Sequence, residues 1–161
     1  MKILVIYYSL DGNTKFISEK IAESIGADIL ELKPKKELVP ASGFLRYFWG
    51  GRQAIMGGKP ELESLEKNCA DYDLVFLGTP VWALKYAPPV NTFFSNVKLE
   101  NKKIALFCCH GGAPGGTLNK MKKRLAGNEF VGAIDFREPL KHDKEAEAKR
   151  AAEWARGIAM N

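Results

Sequence analysis

The chain has 161 residues, 46% of them hydrophobic and 27% charged, with a formal net charge of +5 and a pI near 9.1. This is the balance of a soluble globular protein, and the length suits a single domain, 1–161, able to bury a real core. No apolar run approaches the length of a membrane span, and the N-terminus reads as strand rather than signal peptide, so a cytoplasmic protein with no membrane partner is expected. The lysines are spread along the chain and no basic helix is interleaved with aromatic residues, so no nucleic-acid partner is expected either. The three cysteines, Cys69, Cys108 and Cys109, are odd in number and two are adjacent, which argues against a disulfide framework or a metal site.

The first element is the most informative. The apolar, β-branched run Ile3–Tyr8 predicts a buried strand near Lys2–Tyr8. It stops at the polar loop Ser9-Leu10-Asp11-Gly12-Asn13-Thr14, and a helical pattern follows at once, with Ile17, Ile21, Ala22 and Ile25 on one face. A strand, a hydroxyl-rich glycine turn and a helix N-terminus make an anion site, because the first free N–H groups of the helix point outward and its dipole favours negative charge. The loop matches neither G-x-G-x-x-G nor G-x-x-x-x-G-K-[ST]. With no Lys or Arg between Ser9 and Thr14, it suits a phosphate monoester held by neutral donors. Asp11 is expected to face solvent and cap backbone N–H groups.

A second strand is predicted near Asp28–Leu32. The segment from Pro40 to Gly58 breaks the pattern with Phe44, Tyr47, Phe48, Trp49 and several glycines. A loop this long carries function or structure of its own. It reads equally as a short packed helix or homodimer contact, or as a lid over a bound ring. Leu62, Leu65 and Cys69 share a helical face. A third strand, Leu74–Gly78, runs into Thr79-Pro80-Val81-Trp82-Ala83, where an aromatic can stack on a planar ligand. Pro88-Pro89 suit a first helical turn, followed by Val90, Phe93, Phe94 and Val97 on one face. The fourth strand, Lys103–Cys109, ends in His110-Gly111-Gly112-Ala113-Pro114-Gly115-Gly116, whose backbone N–H groups can approach a ligand closely. Leu118, Met121 and Leu125 mark the next helix, Phe130–Phe136 the fifth strand, and Ala148, Ala151, Ala152, Ala155 and Ile158 the last helix, with Trp154 packing on the sheet.

Strands alternating with helices predict an α/β fold: a doubly wound parallel sheet of five strands in the order 2-1-3-4-5, covered on both faces. In that order a ligand sits at the carboxyl ends of the strands, beside strands one and three. The first, third and fourth strand ends each carry a loop suited to the same ligand: phosphate donors, an aromatic, and backbone donors.

Ser9-x-x-Gly12-Asn13-Thr14 after an N-terminal strand resembles the phosphate loop of flavodoxins, which usually read [ST]-x-T-G-N-T; Asp11 stands where that family usually has Thr. Thr79–Ala83 with Ala87–Val90 is similar to the second flavin loop of the family, and the stretch after Cys109 to its third. The resemblance implies a flavodoxin-like three-layer sandwich that binds FMN. Carried over by position, Ser9, Asp11, Gly12, Asn13 and Thr14 would cradle the phosphate. Pro80, Val81, Trp82 and Ala83 would line the isoalloxazine, and Cys109, His110, Gly111 and Gly112 would approach its pyrimidine end. It further implies an electron carrier that docks transiently with redox partner proteins; the alternative is an NAD(P)H-dependent oxidoreductase reducing quinones or similar small acceptors.

Three departures bear on that choice. Many flavodoxin carriers are acidic; this chain is basic, with Lys85 beside the second loop, so reduction to an anionic flavin is expected to be easier. Carriers often place a glycine in the second loop; Val81, Trp82 and Ala83 stand there, and positive φ at such residues is costly, so the one-electron-reduced state is expected to be weakly stabilised. The third loop has no aromatic, which leaves a face for the 40–58 segment or a substrate. His110 reads either as a proton donor at the flavin carbonyl or as a polar turn residue bonding backbone. A redox role for the Cys109 thiol is disfavoured, since only His110 could lower its pKa.

Overall fold

The computed structural model describes residues 1–36, 38 and 44–161, except the side chains of Phe44, Arg46 and Tyr47. Expectations placed on residues 40–43 and on those side chains lie outside the described residues. Five parallel strands form the sheet: β1 (Ile3–Tyr7), β2 (Asp28–Glu31), β3 (Leu74–Trp82), β5 (Lys103–His110) and β6 (Glu129–Arg137). Their spatial order is β2-β1-β3-β5-β6, which is the doubly wound order 2-1-3-4-5 read over the parallel strands alone. The remaining strand, β4 (Lys85–Tyr86), is a short antiparallel addition: β3 runs on past Gly78 to Trp82 and folds back, pairing Val81 with Tyr86 and Trp82 with Lys85.

Both faces of the central strands are apolar, as a sheet covered on both sides requires. Alternate residues send their side chains to opposite faces. Leu4, Ile6, Val75, Leu77, Ile104 and Leu106 belong to one core with Val90 and Phe93 of α3 (Pro88–Asn96) and Met121 of α4 (Thr117–Arg124). Val5, Phe76, Ala105 and Phe107 belong to the other, with Ile17 and Ile21 of α1 (Asn13–Ile25) and Ala151 and Ala155 of α5 (Lys144–Ala159). Trp154 meets Phe76 edge-on at 5.4 Å, as expected of a residue packing on the sheet. The start of α5 is capped by Asp143, whose carboxylate accepts the Ala146 N–H at 3.0 Å.

The 40–58 segment contains a helix, α2 (Phe44–Ile55). The chain after it is held down by α3: Asn91 donates to the carbonyls of Gly57 and Gly58, and the Thr92 hydroxyl to that of Pro60. The helix expected over Leu62, Leu65 and Cys69 does not form. Residues 61–63 run extended beside 33–35, with Glu63 N–H bonded to the Lys33 carbonyl and Lys35 N–H to that of Glu61. Only a single 3₁₀ turn, Cys69–Asp71, follows. Leu62 and Leu65 still reach the core, from an extended strap rather than a helix face. Their spacing recorded burial, and Pro60 with the backbone pairing decided the conformation.

Candidate functional site

A cavity of about 390 Å³ opens at the carboxyl ends of β1, β3 and β5. Its lining includes Asp11 and Asn13 from the first loop, Pro80, Val81, Trp82 and Ala83 from the second, and Cys109, His110 and Gly111 from the third. Ser9, Gly12 and Thr14 complete the first loop behind that lining, and Gly112 follows Gly111 in the third. Leu10, Gly50 and Gly51 of α2, and Glu138 also line it.

The first loop is an anion site in geometry. Gly12 is the N-cap of α1 and has φ 92°, a conformation in which a side chain would be strained. Gly12 has no side chain to cap the helix, and among the described residues only the Asn13 N–H of the first turn is taken by a side chain, so the next N–H groups face the loop. Thr14 Oγ1 is buried without a hydrogen-bond partner, beside the Cys109 thiol. Buried hydroxyls normally find a partner, so this one is a donor set for an acceptor outside the chain. Asn13 Oδ1 accepts the Leu140 N–H at 3.0 Å, which ties the loop after β6 to the first loop. Ser9 Oγ accepts the Gly12 N–H at 3.2 Å. Asp11 caps as expected, its Oδ1 accepting the Asn13 N–H at 3.4 Å.

The second loop is the β3–β4 hairpin. Its two turn residues, Ala83 and Leu84, have φ of 49° and 58°. A two-residue hairpin turn with both φ positive is the form that follows the sheet twist, and it ordinarily takes Asn-Gly. Of Val81, Trp82 and Ala83, where positive φ is costly, only Ala83 adopts it, with Leu84 beside it. Several contacts hold it: Lys120 Nζ donates to the Leu84 carbonyl at 3.0 Å, the Ala87 N–H to Thr79 Oγ1 at 3.0 Å, and Gly115 lies so close that a Cβ there would stand 2.7 Å from the Leu84 Cβ. Trp82 is fixed edge-on against Tyr8 at 5.9 Å.

In the third loop, His110 has a partner that sequence reasoning missed. Its Nε2 lies 2.9 Å from Asp135 Oδ2, on β6, and its Nδ1 is buried without a partner. Asp135 and His110 are separated by 25 positions, and only the β5–β6 register, which pairs Cys108 with Asp135, brings them together. Glu138 was also missed. It follows β6, its N–H bonds the His110 carbonyl at 2.9 Å, and Lys141 beside it holds its carboxyl below the usual range. The charge expected from Lys85 is offset accordingly: Lys85 Nζ lies over its own Tyr86 ring at 5.3 Å, while the carboxylates of Asp11 and Glu138 line the cavity.

The cysteines offer no reactive thiol. All three are free and buried; burial pushes the Cys108 thiol up to about 12 and that of Cys109 higher still, against a small opposing pull from Thr14. Labelling with a disulfide reagent near pH 8 is therefore expected to be slow for the native protein and complete on unfolding. Fast labelling of the native protein would show that reagent reaches the Cys109 thiol through the cavity it lines.

An open parallel sheet with a helix N-terminus, a hairpin and a glycine loop around one cavity has the ligand-site geometry of a doubly wound α/β protein. The sequence matches the flavodoxin family over residues 2–138. The chain belongs to that family. Among solved structures it is similar to a flavoprotein in complex with FMN from Lactobacillus acidophilus NCFM (26% identity, 90% of this chain and 98% of that one, TM-score 0.72). It is also similar to a putative flavoprotein from Bacteroides eggerthii DSM 20697 (25% identity, 98% of each chain, TM-score 0.75). A third, from Bacteroides uniformis ATCC 8492, shares the fold at 20% identity (96% and 97% covered, TM-score 0.77). The residues present fit FMN: an unpartnered buried hydroxyl and the first-turn N–H groups beyond Asn13 for the phosphate, and the apolar run Pro80–Ala83 for the ring.

Proposed function

We propose that this flavodoxin binds FMN at the strand ends and serves as an electron carrier that docks transiently with redox partner proteins. The observation that supports it is the convergence of the three loops on a single cavity of about 390 Å³. That size falls within the range of small-molecule pockets. FMN, when bound, supplies the redox chemistry. The chain's own residues hold and tune it. The first-turn N–H groups of α1, Thr14 Oγ1 and the Asn13 amide bind the phosphate. Pro80, Val81, Trp82 and Ala83 exclude water from the ring, and Gly111 and Gly112 bring backbone N–H groups to its polar end. His110, oriented by Asp135, keeps its second ring nitrogen buried beside the cavity as a place to hold a proton.

A second reading, NAD(P)H-dependent reduction of quinones, draws on the third loop, where no aromatic covers the cavity between Gly111 and Gly116. Anaerobic reductive titration of the FMN-loaded protein separates the two. Electron uptake one at a time, with no steady NAD(P)H oxidation, is the result expected of a carrier. Sustained NAD(P)H oxidation by the pure protein would overturn that reading in favour of the reductase.

Asp11 opposes the phosphate it adjoins. A unit charge beside a dianion in a water-like dielectric costs about 1–2 kcal/mol, a factor of about ten in affinity. Asp11→Asn keeps an oxygen to cap the Asn13 N–H, so FMN affinity is expected to rise about tenfold while riboflavin, which has no phosphate, is unaffected. An equal change for both flavins would mean that Asp11 acts on loop shape rather than through charge.

A further inference from the structure

The outward face of α2 is apolar, beside the cavity mouth. Leu45 is 58% exposed, Phe48 56%, Trp49 41%, Ile55 73% and Met56 71%. The opposite face of the same helix is inside: Ala54 is buried, and Gly50 and Gly51 line the cavity. A hypothetical Cβ on Gly51 would stand 3.9 Å from the Ala83 Cβ, so α2 rests directly on the β3–β4 hairpin, whose tip adds exposed Leu84 to the apolar surface.

Away from the cavity, where Asp11 and Glu138 stand, the described charges around this face are cationic. Residues 38–60, 74–99 and 101–128 contain no Asp or Glu, although they supply α2, the hairpin, α3, β5 and α4. The cations nearest the stripe are not spent on carboxylates. Arg52 lies over Trp49 at 5.6 Å, Lys85 over Tyr86 at 5.3 Å, and Lys120 bonds the Leu84 carbonyl. Among the described residues none of these three, nor Lys59 just beyond α2, forms an ion pair with an acid.

We propose that α2 and the β3–β4 hairpin form a docking surface for an anionic lipid membrane. Two demands select that occupant. Aliphatic and aromatic tips project outward from one helix, and unpaired cations stand around their base. Acyl chains beneath a layer of phosphate headgroups meet both, and Leu, Phe and Trp with Arg is the composition of a helix lying in a membrane interface. A second copy of the chain matches poorly, since a two-fold contact would set Arg52, Lys59, Lys85 and Lys120 against their own copies. No described helix is long and apolar enough to cross a membrane, so the protein rests on the surface rather than spanning it. This revises the expectation of no membrane partner, which rested on spanning segments alone. It also sets the cavity mouth at the lipid boundary, where an acceptor dissolved in the membrane can reach it. The docking does not depend on the flavin reading, because the stripe and cations belong to the chain itself.

Co-sedimentation of the whole chain, with and without FMN, tests this using vesicles of phosphatidylcholine alone and of phosphatidylcholine with phosphatidylglycerol. Binding to the anionic vesicles only, weakened by salt and accompanied by a blue shift of Trp49 emission that disappears in Trp49→Phe, is expected. Phe48→Glu with Ile55→Glu should weaken it at least about tenfold, while far-UV circular dichroism and FMN affinity stay unchanged. No binding to anionic vesicles would overturn the proposal, as would binding indifferent to the double substitution. A dimer in sedimentation equilibrium that the same substitutions dissolve, without vesicle binding, would assign the face to a second copy instead. FMN binding without vesicle binding would leave the flavin reading standing alone; vesicle binding without FMN binding would do the reverse.

Discussion

Asn13→Ala is expected to cost the protein twice. The Asn13 side chain is 7% exposed, and its oxygen is the acceptor for the Leu140 N–H across 127 positions of sequence. Removing it leaves that N–H without a partner in a half-buried place, a loss of about 1–3 kcal/mol in stability. In the proposed FMN site the amide's nitrogen donates to the phosphate, and a hydrogen bond to a charged acceptor contributes about 1.5–3 kcal/mol. FMN affinity should therefore fall between about tenfold and about 150-fold, with a much smaller change for riboflavin. Fluorescence titration with both flavins, alongside urea unfolding of the flavin-free protein, separates the two losses. Unchanged FMN binding in a destabilised variant would mean that Asn13 only fastens the loop after β6.

Phe107→Ala is expected to have the largest effect on stability, about 3–5 kcal/mol. Phe107 is fully buried in the core shared with α1 and α5, and its ring meets Trp154 at 6.4 Å. It also fills the space over Gly78 on the neighbouring strand: a Cβ on Gly78 would stand 2.2 Å from the ring. The two residues face each other in the β3–β5 register, so the missing side chain on one strand is matched by a large one on the next. Urea unfolding should show the loss as a lower midpoint at unchanged slope. Gly78→Ala in the Phe107→Ala background should then be better tolerated than in the wild type. A cost below about 1 kcal/mol for Phe107→Ala would mean that the core closes over the gap.

The sheet and the loops around its carboxyl ends were legible because their signals are local. A buried strand is a short apolar run, and a doubly wound sheet puts the loops after strands one, three and four in one place whatever their side chains do. That is why Asp11, Asn13, Val81, Trp82 and His110 could be gathered around one cavity from the sequence. Two kinds of information were not local. Asp135, Glu138 and Leu140 come to the site through the β5–β6 register, and nothing in their own sequence neighbourhood marks them. The helix over Leu62, Leu65 and Cys69 failed because apolar spacing records which residues are buried, and a short extended strap beside residues 33–35 buries the same ones. The β3–β4 hairpin escaped for a third reason. Ala83 and Leu84 are poor residues for a turn with positive φ, and Lys120, Gly115 and Thr79 impose it from elsewhere in the chain.

The central claim is that one cavity at the strand ends holds FMN through the loop before α1. Backbone amide spectra of the flavin-free protein during FMN titration test it most directly. The account predicts saturable shifts at residues 9–15, 81–84 and 110–116, with those of 11–15 lost when riboflavin replaces FMN. Absence of shifts, or shifts centred away from these three loops, would contradict it.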